Sequence, residues 1–497
     1  MPQTENILRG SDPADSERLM AIRHFQGSYR CVAVTARYFT TSNASLLAIH
    51  VENALTNVIL RHPVLCVGII QEGTERPAFV RLESIDLMRC VEYRDVIAFT
   101  PEEYTTALEK ILERQHSQRW RDVHCQPPWK IIVVQSRETA SARLTFDLIF
   151  AYHHALADGI SGLVFHQSLL EAFNANGTVK NLADLKIKTP ESLMLPAPIE
   201  KQYKFKISVP ILTREWWTHT RPTWVKWPGR ASFWTSPQCS LQNVQNCLSR
   251  ANVVSIGAYQ LALILTKCRR EGTTLTGLLH GIIIASLTSH VPEARRFKAG
   301  TPYSLRHLLN ESSRDEMGVF SFGFSNPYSM KTISKFRACQ EDLQFTNQIW
   351  DIARAFSTSV AIELESISKG HFIGIIPRAK NLRKALSASI EKPRYETFEV
   401  SNLGSFRSRD EKENQKGNWK IENMVFSQSG QGIGPAVCFN AVSVAGGPLT
   451  VCATWLEGAI EEQLVNSICE DITYILNSLS RGVVTSGTMP HPGKSVG

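Results

Sequence analysis

The residues with most chemistry to offer stand together in "AYHHALADG", Ala151 to Gly159, where two adjacent histidines are followed by an aspartate and a glycine. An imidazole with an ordinary pKa near ~6.5 accepts a proton at neutral pH, so a single histidine can draw the proton from an attacking hydroxyl. The same residues suit two other roles. Asp158 can cap a following helix while the histidines fill hydrogen bonds at a strand end. The pair can also be read as metal ligands, but extended neighbours point to opposite faces, and no third His or Cys lies close in sequence. The pattern alone leaves a structural turn and a general base open, with metal least supported.

Stepping outward, the motif needs a strand before it and a helix after it. "ARLTFDLIFAYHH" supplies the strand, with Leu144, Phe146, Leu148, Phe150 and Tyr152 alternating with Arg143, Thr145 and Asp147. "WKIIVVQS" is its expected strand partner. After Gly159, "ISGLVFHQSLLEAFN" returns to helical spacing. Such strand-to-helix junctions present side chains at a sheet edge, where active sites often lie. Earlier, "YRCVAVTARYF" reads as a strand and "SLLAIHVENALTNVILRHP" as an amphipathic helix stopped by Pro63. "PEEYTTALEKILERQ" opens on Pro101 and acidic residues, which suit the positive end of a helix. The second half repeats the mixture. It offers a helix in "TLTGLLHGIIIASLTSH", strands in "KAGTPYSLRHLL" and "YETFEVSNLGSF", and a strand pair turned at Gly446–Gly447. "IEEQLVNSICEDITYILNSL" closes the fold as an amphipathic helix.

A chain of 497 residues exceeds one ordinary core, so two α/β lobes are expected, each a mixed β-sheet flanked by helices. Boundaries fall at residues 1–177 for the first lobe, 178–235 for a Pro-rich and aromatic connector, 236–485 for the second lobe and 486–497 for a tail. The second lobe is allowed to lend a strand to the first sheet. Hydrophobic content of 43% and charged content of 20% exclude general disorder. The net charge of +8, without a dense basic tract, argues against nucleic acid and suits an anionic co-substrate. Eleven cysteines, scattered singly, suit free thiols in a reducing compartment. No signal-peptide layout and no ~20-residue apolar run is present, so a cytoplasmic monomer with at most peripheral membrane contact is expected.

"HHALADG" resembles the His-His-x-x-x-Asp-Gly signature of the chloramphenicol acetyltransferase-like superfamily, which includes plant BAHD acyltransferases and peptide-synthetase condensation domains. More of the chain is similar to the fungal alcohol acetyltransferase family: "ERLMAIRHFQGSYRCVAVTARYF", "RHPVL", "PPWKIIV", "CRREGTTLTGLLH", "VSNLGSF" and "TWLEGAIEEQLV" fall in its order. The resemblance implies that His154 is a general base and that Asp158, followed by Gly159, turns away from substrate to pair with Arg306 of "TPYSLRHLL". It also implies an active-site channel between the two lobes, with His153, Ser401 and Asn402 as substrate-binding residues along it. The Asp-Phe-Gly-Trp-Gly motif of the plant branch is absent; "SQSGQGIGPAVCFN" takes its place.

The implied activity is acyl-CoA-dependent O-acylation, with acetyl-CoA as co-substrate, an alcohol or metabolite hydroxyl as acceptor, no tightly bound cofactor and no metal. An amine acceptor, or a non-catalytic binding protein on the same lobes, are the alternatives. "GQGIG" reads as a turn rather than a phosphate loop, since no Lys-Ser/Thr follows it. Cys31, Cys66 and Cys438 read as packing residues. The cluster of Trp216, Trp217, Trp224 and Trp227 reads as an anchor for the connector.

Overall fold

The computed structural model describes residues 7–10, 16–40, 47–136, 143–175, 185–206, 233–235, 246–369, 381–390, 392–409 and 418–482. Most of the connector, its tryptophan cluster and the tail lie outside these residues. In the first half the strands are β1 (Ile7–Gly10), β2 (Val32–Thr40), β3 (Val67–Ile70), β4 (Ala78–Arg81), β5 (Ser84–Asp86), β6 (Val91–Val96), β7 (Trp129–Ser136), β8 (Leu144–Tyr152) and β9 (Lys186–Lys188). The second half adds β10 (Ser249–Ile256), β11 (Phe297–Ser304), β12 (Ser321–Tyr328), β13 (Phe398–Phe406), β14 (Trp419–Gln428), β15 (Val437–Val444) and β16 (Leu449–Leu456).

Two mixed sheets organise the molecule. The first runs β14-β2-β8-β7-β6, antiparallel except for the parallel β6–β7 pair. The second runs β10-β16-β15-β13-β11-β12, with β13 parallel to both neighbours. Strand β14 comes late in the chain yet pairs with β2 of the first sheet, so the two halves are stitched together by backbone hydrogen bonds.

Side-chain alternation explains the layers. Along β8, Phe146, Leu148, Phe150 and Tyr152 pack with the helices Leu47–Arg61 and Gly159–Asn174, while Ile149 and Ala151 meet Leu108, Ile111 and Leu112 of the helix Pro101–Ser117. Asp147, on the second face, is also buried and is held by Arg37 through two hydrogen bonds of 2.8 and 2.9 Å. Pro101–Ser117 starts with Pro101 in its first turn and a capping box between Thr100 and Glu103. In the second lobe the helix Leu275–His290, capped by Thr274, sits in the core with Glu462–Arg481. Among the described residues no single helix is long and apolar enough to cross a membrane.

Candidate active site

Strand β8 ends at Tyr152, and the helix Gly159–Asn174 begins seven residues later, so the two histidines occupy the turn between them. Their environments differ sharply. His153 is fully buried; its Nδ1 accepts the Ala155 N–H at 2.9 Å, which places the proton on Nε2, 2.9 Å from Glu72 Oε1. Glu72 follows Gln71, whose φ of 55° turns the chain after β3. His24, at the end of the helix Ser16–Phe25, approaches the same carboxylate oxygen through Nδ1 at 2.5 Å, and its Nε2 accepts the Trp120 N–H. Burial alone would raise the Glu72 carboxyl, but the two imidazole N–H donors hold it at about 2. Burial lowers His153 to about 4, so it is neutral at pH 7.

His24, Glu72 and His153 bring three metal-ligand types within reach of one another. The hydrogen bonds argue against an ion there. Each imidazole accepts a backbone N–H on its outer nitrogen, so the nitrogens facing Glu72 carry protons rather than lone pairs. The cluster is a closed hydrogen-bonded triad that fixes the end of β8.

His154 is only partly buried. Its Nδ1 donates to the Ala157 carbonyl at 3.0 Å, which leaves Nε2 as the lone-pair nitrogen. Burial is the chief reason its pKa falls to about 4. Tyr29 packs against it with ring centroids 5.3 Å apart, and the Arg23 guanidinium lies 4.8 Å over Tyr29. Tyr29 Oη donates to Gln428 at 2.6 Å, and Gln428 donates to Glu399 of β13 at 2.8 Å. A polar chain therefore runs from the histidine into the second lobe.

Asp158 points the other way. Its Oδ1 lies 2.9 Å from Arg306 Nη2 and accepts the Ser161 N–H that caps the helix; its Oδ2 accepts the Phe320 N–H at 3.0 Å. Ser161 Oγ accepts from Arg306 and from the Gly318 N–H. Asp158 and Arg306 are both buried, so the pair joins the motif to the segment between β11 and β12. Gly159 allows a close approach from the second half of the chain: a Cβ there would stand 2.6 Å from Leu403 Cδ2 and 3.2 Å from Phe426.

Ser401 and Asn402 are separated by the pleat of β13. Leu403 packs on Gly159, and Glu399 bonds Gln428, so Ser401 shares with them the side of β13 that faces the first sheet and the motif. Asn402 is not brought to the histidine: its Nδ2 donates to Thr276 at 3.1 Å and its Oδ1 accepts the Gly404 N–H. Cys31, Cys66 and Cys438 are buried, and burial pushes all three thiols up, the first two to about 12. The sequence reading assigned no role to His24, Tyr29, Glu72 or Glu399. Their only local signals are a His at a helix end and the Glu-Gly turn in "IIQEGTE".

Two hollows border residues that pack around the histidines. One, of about 1090 Å³, has His24 and Glu72 in its wall with Arg119 and Arg121 beside them. The other, of about 470 Å³, lies between the lobes and has Arg23, Glu396 and Glu399 in its wall.

With this geometry in view, comparison with known proteins is decisive. A family model described as alcohol acetyltransferase matches residues 15–478. The chain belongs to the alcohol acetyltransferase family. It is 26% identical over 489 residues to a probable alcohol acetyltransferase, FCK4, of Fusarium pseudograminearum, covering 94% of each chain. It is 25% identical to another, crmB, of Aspergillus fumigatus, covering 92% of this chain and 97% of that one. Its fold resembles the trichothecene 15-O-acetyltransferase TRI3 of Fusarium sporotrichioides, with a TM-score of 0.68, 13% identity, and 95% and 94% of the two chains covered. It also resembles the first condensation domain of the CDA synthetase, with a TM-score of 0.59, 12% identity, and 96% and 97% covered. The protein is an alcohol acetyltransferase built on this two-lobed fold.

Proposed function

We propose that the protein transfers the acetyl group of acetyl-CoA to a hydroxyl of a small secondary metabolite, with His154 as general base. The observation that carries this is the bond from His154 Nδ1 to the Ala157 carbonyl, which fixes the tautomer with Nε2 free to accept a proton. In the reaction, the acceptor hydroxyl gives its proton to Nε2 as its oxygen attacks the thioester carbonyl. The tetrahedral oxyanion needs a donor, and the Ser401 hydroxyl, on the side of β13 that faces the motif, fills that role. Collapse breaks the carbon–sulfur bond. The departing CoA thiolate recovers the proton from the imidazolium, so no covalent enzyme intermediate is required. Asp158 and Arg306 act as positioning residues that hold the turn between β8 and its helix. Arg119 and Arg121, beside the larger hollow, give the phosphates of CoA a cationic approach from a cytoplasmic pool.

The test is thiol release from acetyl-CoA across a panel of alcohols and amines, with products weighed by mass spectrometry. Ester products that disappear in His154→Ala support the reading. Amide products alone, or undiminished ester formation by the variant, overturn it.

A further inference from the structure

Two carboxylates brace the turn between β8 and the helix Gly159–Asn174, one at each end. Asp158 holds the far end through Arg306, and Glu72 holds the near end through His153. Glu72 stands in a tight turn of its own, in which the Thr74 N–H bonds the Gln71 carbonyl at 2.9 Å. Three contacts clamp that turn to the helix Ser16–Phe25. Arg18 pairs with Glu75, and His24 reaches Glu72 itself. Gly73 lies under the Phe25 ring, so close that a Cβ there would stand 2.5 Å from it. The Glu72 carboxylate is therefore set in place by the fold, with a side chain only 12% exposed.

From Glu72 a run of hydrogen bonds leads to the second histidine. Glu72 Oε1 only accepts, so it keeps the His153 proton on Nε2 and leaves Nδ1 a lone pair. That lone pair takes the Ala155 N–H, while the Leu156 N–H bonds the His153 carbonyl at 3.0 Å, and the two bonds curl the chain after His153. The curl delivers the Ala157 carbonyl to His154 Nδ1 at 3.0 Å, which keeps the lone pair of His154 on Nε2. Without an acceptor at Glu72, the His153 proton has two poor positions. On Nε2 it is a buried donor left unpaired; on Nδ1 it displaces the Ala155 N–H. The second outcome opens the curl and releases the Ala157 carbonyl from its place beside His154.

We infer that Glu72 is a positioning residue for acetyl transfer, setting the tautomer of His154 through His153, with His24 as the brace that holds its carboxylate. The inference rests on the reading of His154 as general base. Glu72 bonds the neighbouring ring rather than the base, so its removal acts on kcat and not on the hold on the acceptor. What the relay needs at this position is a hydrogen-bond acceptor. An amide oxygen placed where Oε1 stands serves it, and a hydrocarbon does not.

The test is a graded series at Glu72 in the full chain, read by thiol release from acetyl-CoA with the alcohol of the panel that gives most ester, and by long-range ¹H–¹⁵N spectra of histidine-labelled protein. Loss of single signals in His153→Gln and His154→Ala assigns the two rings. The wild-type spectra should show His153 protonated on Nε2 and His154 on Nδ1. Glu72→Met should lower kcat on the order of 10²-fold, with the acceptor KM near its wild-type value and the His154 tautomer no longer single. Glu72→Gln should keep most of kcat and both tautomers. Glu72→Ala, which admits a water from the larger hollow, should fall between them. The opposite tautomer on either ring in the wild type overturns the inference, as does a kcat loss in Glu72→Gln equal to that in Glu72→Met. So does a Glu72→Met enzyme that keeps its kcat, or loses it with both tautomers intact. Should Glu72→Met not fold, Glu72→Ala takes its place, and a kcat and spectra equal to those of Glu72→Gln overturn the inference. Undiminished ester formation in His154→Ala removes the base reading alone. The spectra then decide the relay: tautomers that change together when Glu72 is removed uphold it, and tautomers indifferent to Glu72 overturn it.

Discussion

At the scale of single residues, His154 combines a fixed tautomer with a depressed pKa. Burial shifts the proton equilibrium to about 4, well below the ordinary histidine value. The base is therefore already in its neutral form throughout the physiological range. With an alcohol acceptor that does not itself titrate, kcat/KM should be flat from about pH 6 to 8. A limb near 6.5 in the stopped assay would show that the free enzyme's base is an unperturbed imidazole. His154→Ala should lower kcat by on the order of 10²- to 10⁴-fold, the usual contribution of a positioned base. His153, one residue away, behaves differently because the Ala155 N–H and Glu72 occupy both of its ring nitrogens. Since the triad's inner nitrogens carry protons, dialysis against a chelator should leave both activity and Tm unchanged. Loss of either, restored by a divalent metal, would contradict the hydrogen-bond assignment.

At the scale of elements, the helix Gly159–Asn174 is held at its first turn by contacts from the other lobe. Asp158 caps it and meets Arg306, and Gly159 lets Leu403 and Phe426 approach. Removing one partner of a buried ion pair leaves the other uncompensated, so Arg306→Met should cost about 3–5 kcal/mol in urea unfolding. The double variant with Asp158→Asn should cost less than the sum of the single changes; strict additivity would show that the pair is not coupled. Gly159→Ala should cost about 1–3 kcal/mol through overpacking, because its Cβ would overlap the tip of Leu403. Leu403→Ala in the same chain should recover part of that loss. The strand, turn and helix around the motif were legible because they are local: periodicity, a capping Asp and a Gly mark them in consecutive residues. Which face of β13 meets the motif was not legible. "VSNLG" shows two polar neighbours, and only the packing of Leu403 on Gly159 and of Asn402 on Thr276 separates them. The joining of Glu72 and His24 to His153 likewise depends on chain separations that no local pattern reports.

At the scale of the whole molecule, stitching two lobes through β14 leaves many polar groups inside. His62, His116, His153, His154, His166 and His280 all have pKa values lowered, chiefly by burial, to about 4 or about 3. Most have neutral partners: His62 bonds Ser168, His116 bonds Ser427, His166 bonds Tyr38, and His280 bonds Thr301 and Tyr328. In the unfolded chain each would titrate near ~6.5. Between that value and about 4 the unfolded state binds protons that the folded state refuses. Stability therefore rises with pH across this window and is lost as pH falls through it. Each such histidine contributes about 1.4 kcal/mol per pH unit at full slope. Together they rival the ~5–15 kcal/mol that holds an ordinary domain folded, within one or two units. Glu72, held at about 2, adds a further loss only below its unfolded value near ~4.5. Acid unfolding, followed by circular dichroism or intrinsic fluorescence, should therefore have its midpoint between about pH 4 and 6 and a slope of several protons. Replacing His116 or His280 with Gln, which keeps a hydrogen-bonding group but cannot take a proton in this range, should make the acid transition shallower by about one proton each. A transition centred near pH 3, or one unaltered by either replacement, would mean that these imidazoles are not neutral in the folded protein and that their hydrogen bonds are shared differently.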